Sequence, residues 1–426
     1  MAACAGVGER VQCIAGAMRP VRGGDSAQST VMAVYLIRPR NSLAVRAATL
    51  IGKGFTYPER EAQIKEVRAL QSQDPLHNEI LGWIREEPAE VLFHGAVTGS
   101  LIVEMAPEGA ERLRQEVPGA LVLADQPIGV IQPRPATASK SSVGTGDLWH
   151  LRAIGLEAAR QQGFAGTGRD VRVLVLDTGI DATHPELQGK VEQALAFDPV
   201  TLREYPIQGY DSSGHGTHVT GFICGNTVGV APEARIWNGL MLPQGRGTVA
   251  NFALALEWAA RQPAIQIINL SAGIHGYVDD LRDAVATLMN VGVLVVCASG
   301  NEGANQTRSP GNYVEVLSVG ATTEQGRVAS FSSSGTLVVN NHQYTVPDVV
   351  APGAAVYSCM MGGGYAAWDG TSMATGIVSG VAALILERHP MIRVPDLLDT
   401  IAATCHDLQQ VATRQGAGLV QVTAAL

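Results

Sequence analysis

The sequence predicts an α/β protein: a doubly wound parallel sheet with helices on both faces, preceded by a small α+β unit. Three observations carry this. After residue 149, near-continuous apolar strands alternate with helix patterns, the signature of a parallel sheet covered on both sides. Residues 376–386 (GIVSGVAALIL) are apolar all round, which places a helix inside a large core although it is too short to span a bilayer. Residues 29–132 read as strand, helix, strand, strand, helix, strand.

Composition narrows the class. With 426 residues, 46% of them hydrophobic, the chain has enough apolar surface for a sizeable core. Aromatic residues make up only 5% and glycine numbers 48, so small side chains dominate the packing. A net charge of −9 argues against nucleic acid and against a polybasic membrane patch. The first twenty residues carry Glu9 and Arg10 where a secretory apolar stretch would stand. The six cysteines (Cys4, Cys13, Cys224, Cys297, Cys359, Cys405) form no disulfide framework and show no C-x-x-C spacing. The expectation is a cytoplasmic protein, with secretion by an unrecognised route as the alternative.

Taken in order, residues 1–28 read as a loose, Gly- and Ala-rich tail. Residues 31–37 (VMAVYLI) form a strand, and 58–84 a long amphipathic helix broken near Pro75. Residues 92–105 give strand, turn and strand, 108–116 a helix, and 120–124 (ALVLA) a strand. This is the ferredoxin-like order. Residues 133–148 follow, opening PRPATASKSSVGTG, a linker or an exposed cleavable loop. The larger domain, 149–426, has strands at 171–176, 234–242, 265–270, 291–298 and 314–320, with helices at 249–261 and 279–290. No G-x-G-x-x-G follows its first strand, which counts against nucleotide binding.

In such sheets chemistry gathers beyond the carboxyl ends of the strands. Asp177, Ser271 and the run Ser299-Gly300-Asn301 stand there. A buried carboxylate at Asp177 needs a partner such as an imidazole N–H. His215 is flanked by Gly214 and Gly216, which permit close backbone approach. Ser372 opens the apolar helix, where unpaired N–H groups and the dipole favour negative charge; read alone it is equally an N-cap. An acyl-transfer site requires this set: a hydroxyl, an imidazole base, an orienting carboxylate and a fixed oxyanion donor.

The four segments Asp177-Thr178-Gly179-Ile180-Asp181, His215-Gly216-Thr217-His218-Val219, Ser299-Gly300-Asn301-Glu302-Gly303 and Gly370-Thr371-Ser372-Met373-Ala374 closely resemble the subtilisin-like serine proteases (subtilases, peptidase S8), whose Asp…His…Ser order they share. The resemblance implies a subtilisin-like fold and a serine endopeptidase acting on protein or peptide substrates, with no nucleic-acid or membrane partner. It implies Ser372 as nucleophile, His215 as general base and acid, Asp177 as orienting carboxylate, and Asn301 as oxyanion donor. His218 and His184 are left structural. Gly245, Gly247, Ser271, Ala272 and Gly273 match substrate-pairing strand edges, and Ser299 and Gly300 part of the first specificity pocket. Arg308 is read either as entering that pocket, favouring an acidic residue before the scissile bond, or as a solvated loop charge.

Two departures weaken the family's calcium site: the short CGNTVGV stretch at 224–230, and Glu186 where Asp is usual. No cofactor is expected to be required, and calcium stays open. Residues 29–132 resemble the inhibitory, chaperone-like propeptides of the family. This implies a zymogen that processes itself between about residues 130 and 146, with the propeptide as the chain's own partner.

Overall fold

The computed structural model describes residues 31–43, 45 and 59–425. The tail expected over 1–28 lies outside them, with Cys4 and Cys13.

The N-terminal unit runs β1 (Ala33–Pro39), α1 (Arg60–Ser72), α2 (Pro75–Arg85), β2 (Glu90–His94), β3 (Leu101–Met105), α3 (Pro107–Glu116) and β4 (Ala120–Ala124). Its sheet is ordered β2-β3-β1-β4, antiparallel throughout. The break near Pro75 is a true helix start. The Asp74 side chain accepts from Leu76 N and His77 N, and Pro75 occupies the first turn, where it forfeits no bond. Strand alternation then divides the unit. Ile37, Leu101 and Val103 pack with Ile80, Ile84 and Leu113 in a private core, while Leu36 and Ile102 join the core of the larger domain.

Two further strands follow, β5 (Pro127–Val130) and β6 (Arg134–Pro135). In the larger domain come β7 (Arg172–Asp177), β8 (Val191–Phe197), β9 (Glu204–Pro206), β10 (Arg235–Leu240) and β11 (Arg246–Thr248). They are followed by β12 (Ile267–Leu270), β13 (Ala272–His275), β14 (Leu294–Ala298), β15 (Arg308–Ser309) and β16 (Leu317–Thr322). The hairpin β17 (Gly335–Val339) and β18 (His342–Val346), then β19 (Val349–Pro352), β20 (Val356–Cys359) and β21 (Tyr365–Asp369), complete the strands.

The central sheet is ordered β19-β16-β14-β12-β7-β10-β8-β9. Every neighbouring pair is parallel except β8–β9. The predicted helix opened by Ser372 is Thr371–Arg388, buried from Thr371 through Leu386. β8, β9 and β19 were not foreseen. β8 (VEQALAF) is fully buried only at its last two residues and carries the exposed Glu192 and Gln193, so it lacks the continuous apolar run that marks its neighbours.

The N-terminal unit sits on two helices, Val249–Ala260 and Arg282–Asn290, and the contact is closed by buried charge. The fully buried Arg60 donates to the carbonyls of Val291 (2.9 Å), Pro263 (3.1 Å) and Gln262 (3.1 Å). These are the orphan acceptors beyond the C-terminal ends of the two helices, where a cation is favoured. Arg38 pairs with Asp283 at 2.8 Å. The buried Glu257 accepts from Val97 N and Thr98 N, and Asp125 accepts from Ala250 N at the start of the first helix.

Inside the unit, His77 Nε2 lies 3.0 Å from His94 Nε2, an arrangement that needs one ring to donate and the other to accept. Burial lowers the His77 pKa to about 4, with the adjacent His94 adding to the effect and Asp74 opposing it. Burial also lowers His94, aided by Arg85. Because the folded pKa lies below the unfolded value, the stability is complete above about pH 6.5 and drains away as pH falls toward 4. Denaturant midpoints of the Ser372→Ala chain are therefore expected to drop between pH 7 and 4.5. That drop should shrink in His77→Gln/His94→Gln; an identical drop in both chains would reject the pair as its source.

Candidate active site

Asp177 is the last residue of β7, at the carboxyl edge of the sheet, and is 1% exposed. Its Oδ1 accepts from Thr178 N (2.7 Å) and from His215 Nδ1 (2.7 Å). The ionised carboxylate only accepts, so Nδ1 carries the proton and Nε2 is left to act as a base. Among the described residues Nε2 has no hydrogen-bond partner.

His215 begins the helix His215–Cys224, and two glycines make its position reachable. Gly214 has φ +91°, a conformation side chains rarely adopt. A Cβ at Gly216 would stand 2.1 Å from the Gly179 carbonyl. Trp368 stacks on the buried His218 at 4.2 Å and lies 6.4 Å from His215. His218 bonds the Ala366 carbonyl, and burial lowers its pKa to about 3; it is a structural imidazole. His184 likewise bonds backbone, at Gly364 O and Glu186 N.

Ser372 and Asn301 form the other half of the site. The Asn301 Oδ1 accepts from Thr371 N (2.9 Å) and Thr371 Oγ1 (3.0 Å), which assigns its amide so that Nδ2 faces the cleft. That Nδ2 donates to the Gln132 carbonyl at 2.9 Å. The Ser372 hydroxyl donates to the Ile131 carbonyl at 3.2 Å. The serine is thus hydrogen-bonded to the N-terminal part of its own chain and not to His215.

That part of the chain runs past Ser372, paired with the flanking strands on both sides. β5 is sandwiched between β11 and β13, with Gly247 opposite Ile128, Ala272 opposite Val130 and Gly273 opposite Gly129. Ile131 N donates to the Ser271 carbonyl at 3.1 Å. Gly245 lies just before β11, its carbonyl 3.6 Å from a Cβ placed on Gly129. Beyond the serine, Arg134 and Pro135 pair with Asp369 and Trp368 of β21, and Lys140 bridges to Tyr365. The stretch that sequence reads as a linker or loop therefore begins as a paired edge strand.

The Ser299 hydroxyl donates to Ser333 O, and Gly300 N donates to Thr371 Oγ1 beside the site. Neither expectation for Arg308 fits. Its guanidinium is held by Glu302 (2.7 and 3.0 Å) and His275 Nε2 (2.6 Å), and donates to the Gly273 carbonyl at 3.1 Å. It is a paired, largely buried brace behind a strand edge. Thr371, Trp368 and Glu302 are the neighbours that sequence reasoning missed; only their adjacency to Ser372 and Asn301 could have marked them.

Glu186, the residue at the expected calcium position, is occupied by protein donors. Its carboxylate already accepts from Thr227 N (2.7 Å) and Tyr365 Oη (2.8 Å). Among the described residues no group of three or more His, Cys, Asp or Glu side chains could hold a metal. No helix among them is long and apolar enough to cross a membrane.

Comparison with known proteins gives the family. The family model described as the subtilase family, peptidase S8, matches residues 168–418. The chain is 33% identical to M-protease of Shouchella clausii (strain KSM-K16) over 375 residues, covering 87% of this chain and 90% of the relative. It is 34% identical to alkaline elastase YaB of Bacillus sp. (strain YaB) over 331 residues, 76% of this chain and 79% of the relative. Subtilisin BL of Lederbergia lenta is 37% identical over 283 residues, 65% of this chain and 97% of the relative. The cytoplasmic expectation does not stand: these relatives are secreted alkaline proteases and subtilisins. Glu9 and Arg10, on which it partly rested, also lie outside the described residues. The chain belongs to the subtilase family and is a subtilisin-like serine protease, a hydrolase.

Proposed function

We propose that this serine endopeptidase is made as a zymogen whose N-terminal unit fills the cleft until the chain cuts itself. The observation that supports the reading is the path of residues 127–135, strand-paired on both sides of Ser372. A substrate entering by β-augmentation would use the same edges of β11 and β13.

In this reading the Ser372 hydroxyl attacks a carbonyl carbon, and His215 Nε2 takes its proton. Asp177 keeps Nδ1 protonated and stabilises the imidazolium. The oxyanion is met by the Asn301 amide and by Ser372 N. The imidazolium then protonates the leaving amine, and water hydrolyses the acyl-enzyme ester. No metal takes part in this scheme, and none is proposed at Glu186.

Labelling with a fluorophosphonate probe is expected for the wild type and not for Ser372→Ala. The wild type should also resolve into fragments of roughly 15 and 30 kDa that vanish in that variant, by mass arithmetic on the domain sizes. A chain that never labels, even with its N-terminal unit removed, would instead be a silent binding module.

Two variants probe the site further. Asn301→Ala should lower kcat by about 10²–10³-fold, the usual loss for one oxyanion donor; an unchanged kcat would remove Asn301 from the role. Glu302→Gln removes the carboxylate that pairs with Arg308 and leaves its guanidinium to His275 and the Gly273 carbonyl. Denaturant midpoints should then fall by an amount worth about 1–3 kcal/mol. An unchanged midpoint would show that the pair braces nothing.

A further inference from the structure

We propose that the bond this chain cuts in its own maturation is Ile131–Gln132. The inference rests on the zymogen reading above and adds to it the position of the cut.

Two successive carbonyls lie at the site, and each is held by a different group: Ile131 O by the Ser372 hydroxyl, Gln132 O by the Asn301 amide. Three observations choose between them. The antiparallel ladder on the N-terminal side ends at Ile131, whose N–H donates to Ser271 O. In that register Ile131 and Gly129 are the hydrogen-bonded positions and Val130 the intervening one, so Ile131 is the last residue this ladder anchors, through its N–H, and its carbonyl follows at the Ser372 hydroxyl. The side chains agree. Ile131 is fully buried and Gln132 is exposed. A protease reads the residue whose acyl group it takes, and an enclosed aliphatic side chain is what a specificity pocket holds. Finally, the nucleophile itself contacts the Ile131 carbonyl.

The competing bond, Gln132–Pro133, has the Asn301 contact in its favour but a tertiary amide as its leaving side. Pro133 is wedged over the start of the catalytic helix: a Cβ placed on Gly370 would stand 3.4 Å from both Pro133 Cβ and Asn301 Nδ2. The intact geometry is therefore one step short of reaction. The Asn301 amide passes from the Gln132 oxygen to the Ile131 oxygen, and attack follows. Ser372 Oγ bonds to the Ile131 carbonyl carbon, the Ile131–Gln132 C–N bond breaks, and the serine proton travels through His215 to the Gln132 nitrogen. Water then releases Ile131 as a carboxylate and restores the Ser372 hydroxyl.

Intact-mass measurement of the purified full chain tests this. The expected fragments are 1–131 and 132–426. Ile131→Asp should slow the cut by at least ~10-fold, because a carboxylate replaces a buried aliphatic group, whereas Gln132→Ala should stay within ~3-fold. A peptide with the sequence of residues 129–134 (GVIQPR), incubated with the mature enzyme, should be cut between Ile and Gln; this arm holds even if a variant fails to fold. A labelled, active enzyme whose mature chain begins at Pro133 or elsewhere overturns the assignment and leaves the protease reading intact. Absence of both labelling and cutting overturns that reading and the assigned bond together.

Discussion

A negative charge buried at the end of an apolar strand is the constraint on which the site depends. Asp177 closes β7 in the middle of the sheet, 1% exposed, where an isolated carboxylate would be very costly. Its compensation comes from Thr178 N and His215 Nδ1, and the second of these dictates much of the surrounding chain. The imidazole must begin a helix that runs in against the β7 loop. Gly214 and Gly216 make the approach sterically open, and the rings of His218 and Trp368 fill the space behind. The same contact fixes the tautomer that leaves Nε2 facing the chemistry.

The N-terminal unit follows a parallel logic. Arg60 and Arg38 are both buried, and each meets acceptors the larger domain cannot satisfy alone: carbonyls beyond two helix ends, and Asp283. Removing one partner from such a contact typically costs several kcal/mol, because the other is left desolvated. These bonds hold the unit in one orientation and so deliver β5 to the cleft in register. The apolar contacts of Leu36 and Ile102 add area but little direction.

Much of this was legible in the sequence, for identifiable reasons. β7, β10, β12, β14 and β16 are buried almost throughout and largely apolar because both their faces are covered, with Asn238, Asn269 and Ser318 as buried polar exceptions. The helix Thr371–Arg388 announced itself by having no polar side. The N-terminal unit followed from strand and helix periods, down to the break at Pro75. β8 and β19 escaped because the first is half solvated and the second is four residues long. The site residues were readable as motifs on short segments. Their supports were not, since Thr371 on Asn301 and Glu302 on Arg308 depend on which side chain turns toward which. Arg308 shows the limit: sequence offered a pocket charge or a solvated one, and the fold supplied a third outcome by pairing it with a carboxylate six residues earlier.

The strand pairing on both sides of Ser372 has a kinetic corollary. A chain severed there would still have its new carboxyl end laced to β11 and β13 and its new amino end laced to β21. Ends tethered this way meet at an effective concentration on the order of millimolar, so resynthesis of the peptide bond competes with departure. Hydrolysis and opening then become separate events. In the zymogen reading the second is opposed by the buried contacts of Arg60 and Arg38 as well as by these strand pairs.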